Sequence, residues 1–393
     1  MRKSSITIAV LIDGLGWQLA QEHDFLRSAL PHRGPLATVF GSRSACHPTI
    51  FTGAFPRQHG HFAPFTYDPA NSPFGGLSSL CWLRRLPASV ANRGRVRRWI
   101  SRRAKHQLGY TSDFQLHSTP LSLLEQLDYT EKHDLFQPGG VQGGVTTLFD
   151  DLRAADIPYH LSVPQASEGE NLASAARDIA TGGPQVACVL LPGLETLLHA
   201  RGNGSAAVGR KLRWYEDELR DLQHIAEERY DVVRLAVFSG YGMTDVIGEC
   251  DAMTRVQALP LKFGEDYFAL YDATMARFWF MNADAERRIG AALSGNLDGQ
   301  WLSDNTLRQW GCNFPGARYG QRIFLLRPGV LMNPSFAGRQ QLAAMHGYDP
   351  WHKDSVAYFA SNDPGMGSPA CLPDLRSLLS ASVGVCRLAA SSL

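Results

Sequence analysis

Short, uninterrupted apolar runs recur along this chain. They are too short for buried helices and too continuous for half-exposed strands. Ile6–Ile12, Ile157–Leu161, Val186–Leu191, Leu235–Phe238, Ile323–Leu326 and Val356–Phe359 read as strands buried on both faces. Between them lie segments with helical spacing. Leu172–Ile179 is one, and Val208–Tyr230 is another, with Leu212, Tyr215, Leu219, Leu222 and Ile225 on one face. Doubly buried strands alternating with helices require a mostly parallel sheet with helices on both sides. The expected fold is therefore α/β, a mostly parallel central sheet sandwiched by helices, spanning residues 1–393 as one domain.

Bulk composition narrows the function. An apolar content of 44% supports a large core, and a formal net charge of +1 removes any global attraction to nucleic acid or to a membrane. Neither is expected as a partner. Seven cysteines at wide spacing, with no CxxC pair, argue against a disulfide framework. Arg2 and Lys3 before an apolar run imitate a leader, but the run ends at Asp13 without a small-residue cleavage site, so it is read as a strand. No later stretch is long enough to span a bilayer. A cytoplasmic location is expected.

One region lacks strand rhythm. Residues 72–140 are expected to form an inserted basic cap. This region carries Arg84, Arg85, Arg93, Arg95, Arg97, Arg98, Arg102, Arg103 and Lys105, interleaved with Trp82, Trp99 and Tyr110. It is either a solvated amphipathic helix or a lid over an anionic substrate, since arginine pairs with phosphate in bidentate geometry.

In an open α/β sheet, ligands bind beyond the carboxyl ends of the strands. Asp13-Gly14-Leu15-Gly16 follows the first strand. Pro192-Gly193-Leu194-Glu195 to His199 follows the strand ending at Leu191. Ser239-Gly240-Tyr241-Gly242-Met243-Thr244-Asp245 follows Phe238, and His346-Gly347-Tyr348-Asp349 precedes the last strand. Glu195 and His199 are four apart and share a face if helical. Carboxylates and histidines collected at strand ends have the composition of a metal site.

These segments, in this order, resemble the type I phosphodiesterase/nucleotide-pyrophosphatase branch of the alkaline phosphatase superfamily. Asp13 matches the opening Asp ligand. Ser42-Arg43-Ser44-Ala45-Cys46-His47-Pro48-Thr49-Ile50-Phe51-Thr52-Gly53, followed by Pro56 and His59-Gly60, resembles the nucleophile helix. Glu195 to His199 resembles the Asp-x-x-x-His pair, Ser239 to Met243 the Ser-Asp-His-Gly-Met motif, and His346-Gly347 the final His-Gly. The resemblance implies two metal ions, usually zinc, and a Thr or Ser nucleophile at a helix start.

The chain departs from that pattern in three linked places. Arg43 stands at the nucleophile position, flanked by Ser42 and Ser44, and Gly240 and Tyr241 replace an Asp and a His. Around one metal only Asp13 survives, whereas Glu195, His199 and His346 keep the other set intact in type. The metal candidates are therefore Asp13, Glu195, His199 and His346, holding one divalent ion, zinc in preference to manganese. The catalytic candidates are Ser44, Arg43 and Tyr241. Arg43 is expected to fill the emptied metal position beside Asp13, Tyr241 is either a packing aromatic or a donor to a substrate oxygen, and Asp245 is not expected to replace the lost ligand. An anionic small-molecule substrate, a phosphate ester or nucleotide, is implied. The functions compatible with this site are a phosphoester or phosphodiester hydrolase using Ser44 or water, a diverged group-transfer enzyme, or a non-catalytic anion-binding protein. Oligomeric state is not legible.

Overall fold

The computed structural model describes residues 2–41, 43–76, 93–116, 119–141, 143–295, 297–336 and 341–385; Ser42, Cys81, Trp82, Arg84, Arg85 and Cys386 lie outside them. Strands and helices are numbered in chain order. The central sheet contains β1 (Lys3–Ile12), β2 (His32–Leu36), β5 (Tyr159–Leu161), β6 (Val186–Leu191), β7 (Tyr230–Phe238) and β16 (Ala357–Ser361). Its order is β2-β16-β7-β1-β6-β5. β7, β1, β6 and β5 run parallel, while β16 is antiparallel to both β7 and β2. The sheet is thus mostly parallel, as expected, with an antiparallel pair at one edge. β6 is buried at all six positions, which is why it carries no alternation in the sequence.

The helices are α1 (Trp17–Glu22), α2 (Arg43–Thr52), α3 (Pro56–His59), α4 (Gly94–Leu108), α5 (Leu148–Ala154), α6 (Glu168–Ala180), α7 (Gly193–Arg201), α8 (Ala206–Glu227), α9 (Ala252–Gln257), α10 (Ala283–Ser294), α11 (Asp304–Gln309) and α12 (Asp374–Ser382). The stripe read from α8 is core: Leu212, Tyr215, Leu219 and Leu222 are buried, and Ile225 packs against them. None of the described helices is long and apolar enough to cross a membrane.

One strand expected in the central sheet is elsewhere. Ile323–Leu326 belongs to β13 (Arg322–Leu326), which lies in a separate antiparallel sheet with β10 (Tyr267–Tyr271), β11 (Met275–Phe280) and β12 (Gly299–Trp301). A buried apolar run reports burial but not strand direction, so it fits a second sheet equally well. The described part of 72–140 packs on that sheet. Ile100 and Ala104 of α4 join Phe65, Tyr129, Phe268, Leu270 and Trp279 in one apolar cluster. Phe65 and Tyr129 sit on the hairpin of β3 (Phe65–Tyr67) and β4 (Leu127–Tyr129). Of the α4 cations, Arg97 turns inward and donates to the Thr119 carbonyl at 2.6 Å, while Arg95, Arg98, Arg102 and Arg103 are exposed.

The far end of α2 is held by a buried ion pair. Arg376 of α12 meets Asp151 of α5 at 2.6 Å, with side chains 2% and 0% exposed. The same guanidinium donates to the carbonyls of Thr52, at 2.6 Å, and Thr146, at 2.7 Å. The second carboxylate oxygen of Asp151 has no partner. Losing the guanidinium would therefore strand a buried charge. Arg376→Met is expected to cost about 3–5 kcal/mol in urea unfolding, and Arg376→Met with Asp151→Leu should recover much of it. A double variant no more stable than the single one would show that the pair is not what holds this corner.

Candidate functional site

Strand register brings the site together. Ile12 is level with Leu191 on one side of β1, and Leu11 with Phe238 on the other. The three segments that follow, at Asp13, Pro192–Glu195 and Ser239–Tyr241, therefore leave the sheet side by side. Gly14 adopts φ +81°, and a Cβ there would lie 3.1 Å from the Glu195 Cα, so only glycine allows α7 to approach this closely. The Ser239 hydroxyl donates to the Leu15 carbonyl at 2.6 Å and accepts from the Tyr358 amide at 2.9 Å, which fixes the third segment to its neighbours.

Glu195, His199 and His346 converge. One ligand atom from each lies within 4.8 Å of the others. Glu195 Oε1 is 3.0 Å from His346 Nε2 and 3.7 Å from His199 Nε2. His346 arrives on a short bridge in which β15 (Ala344–Met345) pairs with β8 (Thr244–Asp245), the strand that follows Tyr241. His199 Nδ1 donates to the Ala344 carbonyl at 2.9 Å. A carbonyl can only accept, so a neutral His199 presents the Nε2 lone pair toward Glu195. Two electron-rich atoms then face each other at a spacing that suits a cation between them. A backbone acceptor orienting the other ring nitrogen is the usual support for a metal-binding histidine. This donor set fits a single divalent metal.

Tyr241 completes this half. Its hydroxyl donates to Glu195 Oε1 at 2.8 Å, and its ring lies 4.4 Å from that of His346. Burial, reinforced by the carboxylates of Glu195 and Asp13, pushes the phenol well above its ordinary range and keeps it a donor. The hydroxyl expected to serve a substrate oxygen is thus directed at Glu195. Burial pushes the Glu195 carboxyl up, but its neighbours, among them His346 and Arg43, outweigh it and hold the group below the usual carboxylate range.

Asp13 stands apart from this triad. It is 3% exposed, and its two oxygens face two side chains of α2. Oδ1 is 2.7 Å from His47 Nε2, and Oδ2 is 3.6 Å from Arg43 Nε. The Asp13 carboxylate holds the guanidinium still more firmly protonated than usual. Arg43 and His47 are one helical turn apart and so share a face. His47 was not among the residues singled out from the sequence, although its four-residue spacing from Arg43 was the available signal. Ser44 follows Arg43 on α2 and is half-buried. Ser42 is outside the described residues.

A second metal does not fit here. Asp13 is engaged by an imidazole and a guanidinium, and the Tyr241 hydroxyl serves Glu195. Gly240 offers no side chain, and a Cβ on it would lie 3.1 Å from the Cβ of Cys46. Burial pushes the Cys46 thiol up to about 12, so at neutral pH it is an uncharged packing group. Asp245 is not a substitute ligand for this position. Its Oδ1 accepts from the backbone amide and side chain of Asn203, at 2.8 and 2.9 Å. No described α4 cation enters the cluster.

Comparison with known proteins identifies the fold and the family. Two solved structures of ectonucleotide pyrophosphatase/phosphodiesterase 5 share the fold. The murine protein, an inactive form in complex with AMP, is 14% identical with a TM-score of 0.67, over 98% of this chain and 96% of that one. The human protein is 13% identical with a TM-score of 0.68, over 99% and 97%. No curated protein matches the sequence. The family model described as type I phosphodiesterase / nucleotide pyrophosphatase matches residues 7–287, which include Asp13, Arg43, Glu195, His199 and Tyr241. The chain belongs to the type I phosphodiesterase/nucleotide pyrophosphatase family.

Proposed function

We propose that this protein is a phosphodiester hydrolase of altered design, with one divalent metal on Glu195, His199 and His346 and the Arg43 guanidinium in place of a second. The convergence of the triad beside the Asp13–Arg43 pair carries this reading. The substrate class is a phosphate ester, with a nucleotide favoured because the murine relative was captured with AMP. A metal bound at the triad would supply Lewis-acid polarisation of a phosphoryl oxygen, and zinc suits a Glu/His/His donor set.

The remaining groups have separate tasks. Arg43 is half exposed at its side chain, so part of the guanidinium is available to a phosphoryl oxygen while Nε faces Asp13. Asp13 aims Arg43 and, through its other oxygen, His47. Tyr241 fixes the Glu195 carboxylate. With a guanidinium at the nucleophile position, water is the attacking group. Its oxygen bonds to phosphorus as the ester P–O bond breaks; the electron pair of that bond leaves with the alcohol oxygen, which takes up the proton released from the water, and no phosphoryl-enzyme forms. The same observation favours a second reading, an anion-binding protein that does not turn over.

Metal content tests the single-metal site. Protein purified without added metal should bind one equivalent of zinc in titration calorimetry. His346→Ala should abolish that binding, and Tyr241→Phe should weaken it about 10- to 100-fold. Two equivalents in the parent protein would overturn the single-metal site.

Arg43 is tested by hydrolysis of bis(p-nitrophenyl) phosphate. Arg43→Ala should lower kcat/KM about 10²- to 10³-fold, with Arg43→Lys recovering only part. Because Arg43 is half exposed and His47 still partners Asp13, the stability cost should stay near the ~0–1 kcal/mol of an exposed pair rather than the ~3–5 kcal/mol of a buried one. Ser44→Ala should retain most of the activity; its complete loss would make Ser44 the nucleophile. No metal-dependent turnover by the parent protein would leave the non-catalytic reading.

A further inference from the structure

We propose that the outward face of α4 is a docking surface for an anionic lipid bilayer. The helix runs from Gly94 to Leu108 without an acidic residue in GRVRRWISRRAKHQL. Arg97, Ile100, Ser101 and Ala104 are its buried side. The opposite side presents Arg95, Arg98, Trp99, Arg102, Arg103 and His106, all exposed, along a face about 20 Å long.

These cations lack the local carboxylate partners that several other surface arginines have. Arg27 has Asp24, Arg220 has Asp217, and Arg287 and Arg288 share Asp284, each three or four residues away. Among the described residues, none of Arg95, Arg98, Arg102, Arg103 or His106 has a carboxylate at ion-pair distance. Concentrating like charge on one helix face is unfavourable unless a polyanion neutralises it. The net charge of +1, which removes any global attraction, conceals this local excess.

Trp99 indicates the kind of polyanion. It is 49% exposed in the middle of the cationic face. Together with Arg102, Arg103, His106 and Gln107, it lines a shallow cavity of about 520 Å³. An indole among arginines suits the boundary between headgroups and acyl chains, where the ring is half buried and the guanidinium groups meet phosphate and carboxylate. Single-stranded nucleic acid is the weaker fit. Its sites track the backbone along a groove with successive aromatic platforms, whereas this face has one ring on a single helix. The inference is independent of the catalytic reading, because no α4 residue belongs to the site.

The test is co-sedimentation of the full chain with vesicles in about 0.1 M salt. Phosphatidylcholine vesicles containing 30% phosphatidylserine should bind, and pure phosphatidylcholine vesicles should not. Arg98→Gln with Arg102→Gln should weaken binding about 30-fold, the loss for two cations at about 1 kcal/mol each. Both side chains are exposed, so far-UV circular dichroism should be unchanged. The vesicle-induced blue shift of tryptophan fluorescence should disappear in Trp99→Phe. Equal sedimentation with both vesicle types, no sedimentation, or a double variant that binds like the parent would each overturn the proposal. So would tight binding of a labelled oligothymidylate that vesicles fail to displace, which would assign the face to nucleic acid.

Discussion

A buried carboxylate needs a positive partner, and the organisation of this site follows from how Asp13 obtains one. Asp13 is placed where β1 leaves a sheet with parallel neighbours on both sides. Water cannot solvate it there, and an isolated charge would be costly. Two side chains of α2, a helix separate from the central sheet, meet that need. His47 takes one oxygen at 2.7 Å and Arg43 faces the other at 3.6 Å. The helix is held at its opposite end by Arg376, so its orientation toward Asp13 is fixed from both ends.

The two halves of the site are electrostatically joined. Glu195 is shared by His346, His199 and the Tyr241 hydroxyl, and the Tyr241 ring lies 4.4 Å from that of His346. Arg43 adds to the forces that keep Glu195 ionised, while Glu195 and Asp13 help keep Tyr241 protonated. In the function proposed above, a guanidinium stands in place of a second metal ion, which changes the chemistry available. Arginine holds an oxyanion with directed N–H groups, but it cannot activate an oxygen nucleophile as a Lewis acid does.

Much of this was legible in the residues. β1, β6 and β7 were recoverable because burial on both faces leaves continuous apolar runs. The amphipathic period of α8 was recoverable because one face meets the sheet. Asp13, Glu195, His199 and His346 were recoverable because polar residues capable of chemistry immediately after or before such runs must emerge at a sheet end. His47 was missed because a histidine inside an apolar helix resembles a core residue, and nothing local says which carboxylate it meets. β10 and β11 were also missed. Tyr267–Tyr271 is itself a continuous apolar run, but its pairing, such as Phe268 with Trp279, is cross-strand and has no local signature.

By itself, the sequence determined which segments are buried, that the sheet is largely parallel, and which residue types stand at its ends. Those properties depend on periodicity and on the chemistry of single residues, which act over a few positions. Tertiary structure alone decided that His47 joins the expected Arg43 at Asp13, that the Tyr241 hydroxyl is given to Glu195, and that Ile323–Leu326 joins an antiparallel second sheet. Each depends on contacts between residues far apart in the chain, set by strand register and helix packing.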